Sequence, residues 1–217
     1  MDWNLIDSVL LDLDGTLLDL HFDNHFWLEH VPLRYAEQRG MGLAAAKSEL
    51  LARYKDVEGT MQWYCIDYWS RELGLDIALL KQEVDHLIAV HPHVTDFLEG
   101  LCRLGKRIVL VTHAHQKSLA LKLEKTRLHG YFDVVICAHD YGTPKEDPGF
   151  WSLLHSAEPY DPARTLLVDD NLTVLHSARS YGIRWLLAVL KPDSQAPART
   201  AEGFQAVHDF SEVMPGN

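Results

Sequence analysis

Near its start the chain reads Val9-Leu10-Leu11-Asp12-Leu13-Asp14-Gly15-Thr16-Leu17-Leu18, and the rest of the sequence is organised around this segment. Apolar Val9, Leu10, Leu11 and Leu13 make a run of strand length that Gly15-Thr16 breaks. A continuous apolar run, as opposed to an alternating one, suits a strand buried on both faces, as in a parallel sheet. Asp12 then lies at the end of a buried strand, and Asp14 two residues on, where the chain leaves the sheet. An ionised carboxylate there is costly unless a cation or hydrogen-bond donors face it. Turn chemistry accounts for Asp14-Gly15, because Asp-Gly commonly follows a strand. It gives no reason for Asp12.

From Pro92 onward helix and strand alternate. Val94, Phe97, Leu98, Leu101 and Cys102 mark an amphipathic helix that Gly105 closes. Ile108–Val111 reads as a strand ending at Thr112, and 116–128 as a helix. A strand over Val134–Cys137, a helix over 147–157 and a strand over Thr165–Val168 follow, the last ending at Asp169-Asp170-Asn171. A helix carrying Leu172, Leu175 and Ala178 leads to a strand over Trp185–Val189. Residues 191–203 read as loop, and the tail after Phe204 carries only weak signal. This alternation predicts an α/β fold with a doubly wound, Rossmann-like parallel sheet.

Between the first strand and Pro92 the pattern is helical throughout. Asp23 or Asn24 is placed to cap a first helix that Pro32 ends or kinks. Residues 43–56 give a second helix and about 76–89 a fourth. In 60–73, Met61, Tyr64, Cys65 and Tyr68 fall on one face of a third, which makes Tyr64 and Tyr68 core residues and turns Trp63 away from them. The expected organisation is a core of residues 1–18 and 92–217, with an all-helical insertion at 19–91.

A length of 217 residues allows one large domain, or a domain with a sizeable insertion. The formal net charge of −11 argues against a polyanion-binding surface and hence against a nucleic-acid partner, while leaving room for a small phosphate ester in a local cationic pocket. Cys65, Cys102 and Cys137 are scattered and odd in number, which suits free thiols in a reducing cytosol, packed as small buried hydrophobes. No apolar run approaches a membrane span, and Met-Asp-Trp-Asn does not read as a signal peptide. The expectation is a soluble cytoplasmic protein.

In an open α/β sheet, ligands bind beyond the carboxyl ends of the strands. Those ends bring Asp12 and Asp14, Thr112-His113, the Gly142-Thr143-Pro144-Lys145 loop and Asp169-Asp170 to one rim. So many carboxylates need a counter-cation, and hard oxygen ligands suit Mg2+. A magnesium ion, a lysine and a hydroxyl are together equipment for holding a phosphoryl group while its charge redistributes. A carboxylate kept ionised can act as a nucleophile, and a second can pass a proton to the leaving oxygen.

Asp12-Leu13-Asp14-Gly15-Thr16, Thr112, Lys145 and Asp169-Asp170 resemble, in order and setting, the four motifs of the haloacid dehalogenase superfamily of phosphatases. The resemblance implies Asp12 as nucleophile through an aspartyl-phosphate, and Asp14 as general acid/base. It further implies Thr112 and Lys145 on the phosphoryl oxygens, and Mg2+ held by Asp12, the Asp14 carbonyl and Asp170, with Asp169 close behind. In that superfamily an insertion at 19–91 is a helical cap that closes over the site. Asp19-Leu20-His21-Phe22-Asp23-Asn24-His25-Phe26-Trp27, the text Trp63 to Ser70 and Pro144-Lys145-Glu146-Asp147 look like its GMP/IMP nucleotidases. The implied substrate is a purine nucleoside 5′-monophosphate, with Asn24 and Trp63 as candidates for contacting it and His21 and Asp23 at the mouth. His113 stands where that pattern leads one to expect Asn; it still offers a hydrogen bond to the substrate phosphate.

Three other readings stand beside this one. A receiver-like phosphoacceptor module also sets acidic residues, a hydroxyl and a lysine at strand ends, but has no helical insertion. A zinc hydrolase would use the His113-x-His115 pair. A sugar-phosphate phosphatase or phosphomutase would share the core and differ in the cap. His91 and His93 flank Pro92 and read as an exposed junction.

Overall fold

The computed structural model describes residues 1–216. The chain begins with β1 (Ser8–Leu11), followed by α1 (His21–His25), α2 (Val31–Arg39), α3 (Leu43–Val57), α4 (Met61–Tyr64), α5 (Ile66–Leu73) and α6 (Ile77–Glu83). Then come α7 (Val94–Arg103), β2 (Arg107–Thr112), α8 (Gln116–Thr126), β3 (Val134–Cys137), α9 (Ala138–Tyr141) and α10 (Pro148–Ala157). The chain finishes with β4 (Thr165–Asp169), α11 (Leu172–Tyr181), β5 (Trp185–Val189) and β6 (Gln205–Val207). All strand pairings are parallel, in the order β3-β2-β1-β4-β5-β6. That order reverses between β1 and β4, and the crevice at such a switch point is where this architecture receives ligands.

The doubly wound sheet is as the sequence predicts. Val9, Leu10 and Leu11 are all fully buried, because helices cover both faces of β1. Val9, Leu11, Ile108, Leu110 and Val168 pack with Val94, Phe97 and Leu101 of α7. Leu10, Val109, Val111 and Leu167 face Phe150, Trp151 and Leu154 of α10 and Val174 and Leu175 of α11.

The helices between β1 and β2 share their own apolar cluster, in which Phe22, Phe26, Leu50, Trp69 and Leu73 are almost wholly inaccessible. The segment leaves and re-enters the core through two adjacent strands of chain. The Asp19 amide donates to Ala89 (2.9 Å) and the His91 amide to Leu17 (2.9 Å). His91 is part of this double connection: its ring is half-buried, 3.1 Å from the Pro192 carbonyl, and not simply exposed.

Several local expectations are revised. Asp23 and Asn24 lie inside α1, and it is the Asp19 carboxylate that accepts the His21 amide (3.0 Å). Pro32 does not end the helix. Phe26–His30 forms a wide π turn, and Pro32 sits in the first turn of α2, where its missing N–H costs nothing. The helix expected over 60–73 breaks at Cys65, whose backbone is extended and whose Sγ accepts the Tyr68 amide (3.3 Å). The buried face beyond the break is Ile66, Trp69 and Leu73, not Met61, Tyr64, Cys65 and Tyr68. The fourth helix is shorter, α6 giving way to a 3-10 turn at Asp85–Leu87. Of the three free cysteines only Cys137 is buried, and Cys102 is exposed. The tail holds a sixth strand, β6, too short for periodicity to reveal, and a capping box at Asp209 and Glu212. No helix is long and apolar enough to cross a membrane among the described residues.

Candidate active site

β1 ends at Leu11, and the Asp12 amide still donates to the Val168 carbonyl (3.0 Å), so Asp12 stands at the exact edge of the sheet. The chain then curls: Leu17 and Leu18 donate to the Leu13 carbonyl at 2.9 and 2.8 Å. Gly15 makes this turn with φ +87°, and a Cβ there would come within 2.8 Å of the Asp170 carboxylate. A side chain at 15 therefore meets both backbone strain and a steric clash.

Asp12, Asp14, Thr112, His113, Lys145, Asp169 and Asp170 line a single cavity of about 740 Å³ at the switch point, a volume suited to a small ligand. Lys145, 1% exposed, is its cationic centre. Its Nζ lies 2.5 Å from Asp12 Oδ1 and 2.8 Å from Asp169 Oδ2, and donates to the Val111 carbonyl at 3.1 Å. Burial alone would make the ammonium less basic, but Asp12 and Asp169 outweigh it and hold Lys145 protonated. Asp169 is occupied on both oxygens, its Oδ1 accepting the Asn171 amide (2.9 Å). Thr112 Oγ1 accepts the Ala114 amide (2.9 Å), which aims the hydroxyl from the end of β2.

Asp170 is different. Burial, then Asp169 and Asp12, push its carboxyl well above the ordinary range, and Arg199 Nη1 at 3.0 Å offsets this only in part. Asp12, Asp169 and Asp170 each offer an oxygen within 4.8 Å of the others. Three carboxylates against Lys145 and the half-exposed Arg199 still leave an excess of negative charge, and an all-oxygen set of this kind fits a hard divalent cation. His113 and His115 belong to no such cluster among the described residues. His115 instead caps α8, its Nδ1 accepting the Lys117 amide (3.3 Å).

The cavity's far wall comes from the helical segment: Asn24, Trp27, Tyr54, Trp63 and Trp69 all line it. Asn24 donates to Asp193 Oδ2 (2.7 Å), which ties α1 to the loop after β5. Tyr64 is not a core residue. Its ring stacks on His113 with centroids 4.0 Å apart and planes 3° from parallel, and its hydroxyl donates to Glu146 Oε1 (2.9 Å). Glu146 also accepts from Asn171 Nδ2 (3.1 Å). His113 Nε2 lies 2.8 Å from the Lys145 amide nitrogen and 3.0 Å from Glu146 Oε2. One ring nitrogen serves only one of these at a time, accepting from the amide when neutral and donating to the carboxylate when protonated there. Burial favours the neutral ring.

Sequence reasoning missed Lys81, Lys122, Glu146, Asp193 and Arg199. Lys122 Nζ lies 2.6 Å from both Asp14 Oδ1 and Asp23 Oδ2, and Lys81 Nζ lies 2.7 Å from Asp23 Oδ1. Asp23 lines the cavity and is engaged there by two lysines, whereas His21 sits outside the cavity lining, 3.7 Å from Asp193. Burial pushes the Asp14 carboxyl up to about 6 against the pull of Lys122. The only signal that could have found the lysines is a cationic residue on an otherwise core-facing helical stripe.

Comparison with known proteins agrees with this geometry. Residues 6–182 match the haloacid dehalogenase-like hydrolase family. A protein of Escherichia coli strain K12 named GMP/IMP nucleotidase YrfG is 38% identical over 213 residues, covering 98% of this chain and 96% of its own. A phosphoglycolate phosphatase of Pseudomonas fluorescens is 21% identical over 96% of this chain and 78% of its own. Among solved structures, a haloacid dehalogenase-type phosphatase from Thermococcus onnurineus aligns with TM-score 0.79 at 23% identity over 96% of both chains. The hydrolase YfnB of Bacillus subtilis, bound to magnesium, aligns with TM-score 0.66 at 18% identity over 96% of both.

Proposed function

This chain belongs to the haloacid dehalogenase-like hydrolases and hydrolyses phosphomonoesters, and we propose that its substrates are purine nucleoside 5′-monophosphates, GMP and IMP foremost. The observation that carries the reading is the two-sided cavity. One wall is the Asp12–Lys145–Asp169–Asp170 cluster, and another is an aromatic patch of half-buried Trp27 and Trp63, packed on the nearly inaccessible Tyr54 and Trp69. A phosphate fits the first and a flat base the second, since aromatic faces stack on any base. The 38% identity to a GMP/IMP nucleotidase over nearly the full length of both chains supports the same choice.

Residues 19–91 are the cap in this reading, and residues 1–18 with 92–217 the catalytic core. Lys145 takes Asp12 Oδ1 and so fixes the rotamer that leaves the other oxygen for attack on phosphorus. Lys145 and Thr112 then hold the phosphoryl oxygens as charge moves onto them. Asp14 gives its proton to the nucleoside oxygen as that bond breaks, and takes one from the water that hydrolyses the aspartyl-phosphate. Mg2+ would be held by Asp12, Asp170 and the Asp14 carbonyl, with Asp169 behind; when bound it draws negative charge from the phosphoryl group. In this reading Asn24 and Trp63, both in the cavity lining, contact ribose or base. His113 is placed at the phosphate end, with Tyr64 over its ring.

The test is phosphate release with Mg2+ from a panel of nucleoside monophosphates and sugar phosphates, beside Asp12→Asn. Selective hydrolysis of GMP and IMP that the substitution abolishes is expected. A sugar phosphate winning the panel overturns the nucleotidase assignment and leaves the core chemistry standing. Phosphorylation of the protein without turnover would favour a phosphoacceptor module.

A further inference from the structure

Four charges alternate through the buried wall that joins the helical segment to the core: Lys81, Asp23, Lys122 and Asp14. Lys81 and Lys122 are 3% and 1% exposed. Lys81 and Asp23 belong to the segment between β1 and β2, on α6 and α1; Lys122 comes from α8 of the core. Lys122 donates a hydrogen bond to Asp23 at 2.6 Å and meets Asp14 Oδ1 at the same distance as an ion pair. Lys81 is fixed from its other side by aromatic faces, with Nζ 4.7 Å from the Phe22 centroid and 4.4 Å from that of Phe26.

Two lysines sunk in an apolar wall are a poor way to stabilise a fold. Hydrophobic residues of the same size do as well or better, because burying charge costs what the pairing returns. The chain also has a direction: it begins among the aromatics of the helical segment and ends on the Asp14 carboxylate in the cavity.

We propose that Lys122 is a positioning residue for Asp14, and that Asp23 and Lys81 set Lys122, so that the proton donor is aimed correctly only when the helical segment is seated on the core. This rests on the reading of Asp14 as general acid. Lys122 reaches Asp14 from the core side and Asp23 from the segment side, so displacing the segment removes one of its two anions. A buried ammonium left with one partner must move toward water or draw Asp14 with it, and the acid loses its aim.

The experiment compares kcat/KM for GMP, or the best alkyl ester of the panel, with that for p-nitrophenyl phosphate at one Mg2+ concentration. Nitrophenolate leaves without protonation, whereas a ribose alkoxide needs the acid. This ratio reports only steps through formation of the aspartyl-phosphate, so the later role of Asp14 as base does not enter. Lys122→Met is expected to lower the alkyl-ester value by about 100-fold or more, the low end for loss of general acid catalysis, and the nitrophenyl value by under about 10-fold. Asp23→Asn is expected to tilt the ratio the same way by about 10-fold, and Lys122→Arg to recover part of the loss. Equal losses on both esters, or no loss, overturn the proposal, because a plain counter-charge to phosphate or a structural role does not discriminate leaving groups. If Lys122→Met does not fold, Asp23→Asn and Lys81→Met decide by the same ratio. Asp14→Asn is the control: if it leaves the ratio unchanged, the acid/base reading has failed, not the positioning of the acid.

Discussion

Lys145→Met keeps the length of the side chain and deletes its charge, and the consequences can be worked from the contacts. The substitution removes the partner of two buried carboxylates, Asp12 at 2.5 Å and Asp169 at 2.8 Å, and one donor to the Val111 carbonyl. Asp169 retains the Asn171 amide; Asp12 loses the cation that faces it. Breaking a buried pair by removing one member costs about 3–5 kcal/mol. For a chain of this size each kcal/mol moves the midpoint by about 2–4 °C, so melting in excess chelator is expected to fall by about 6–20 °C. The pH dependence carries a sign. Burial already pushes Asp12 and Asp169 upward in the folded protein, and without Lys145 they rise further. A folded carboxyl raised above its unfolded value binds protons that the unfolded chain does not. The deficit of the variant is therefore largest above the raised folded values and shrinks as pH falls through them toward the ordinary range of an aspartate. The assay is differential scanning calorimetry of both proteins from pH 8 to pH 5. A drop smaller than about 3 °C at pH 8, or a deficit that does not narrow at pH 5, would refute the reasoning that Lys145 neutralises two ionised carboxylates.

Millimolar Mg2+ is expected to raise the melting temperature of the unaltered protein and Asp170→Asn to abolish that rise, read by thermal shift with and without chelator. Gly15→Ala should cost about 1–2 kcal/mol from positive φ alone, more with the clash on Asp170, and should weaken Mg2+ binding measured by calorimetric titration. With the Asp14 carboxyl raised to about 6 by burial, kcat/KM for GMP should decline as pH rises through that value and the acid loses its proton, and Asp14→Asn should erase that limb of the profile. In a double-mutant cycle, Tyr64→Phe and Glu146→Gln should couple by about 1–2 kcal/mol in thermal stability, because Asn171 keeps one hydrogen bond to the carboxylate; coupling near zero would mean the hydroxyl contact is idle.

Much of this protein is written locally. The doubly wound sheet follows from β1, whose apolar run requires cover on both faces, and from the alternation after Pro92. The strand ends fix Asp12, Thr112 and Asp169-Asp170 in one plane because parallel strands present the same ends together, and the Pro144-Lys145 loop adds its lysine to that rim. Even the departure at His113 is visible in the text, although its purpose is not.

What sequence periodicity could not supply is which neighbour a side chain meets across the chain. Tyr64 fits a helical stripe as well as it fits a stack on His113, and only the break at Cys65 turns it from the bundle core to the sheet edge. Lys81 and Lys122 look like solvated helix residues until α6 and α8 pack and bury both against Asp23. Arg199 lies in a loop with no pattern at all and reaches Asp170 only because β5 carries that loop back to the switch point. A backbone period constrains which way residues face, over a few turns of one element. Charge pairing across 58 or 99 positions, as for Asp23 with Lys81 and with Lys122, depends on packing between elements, and that is decided in three dimensions.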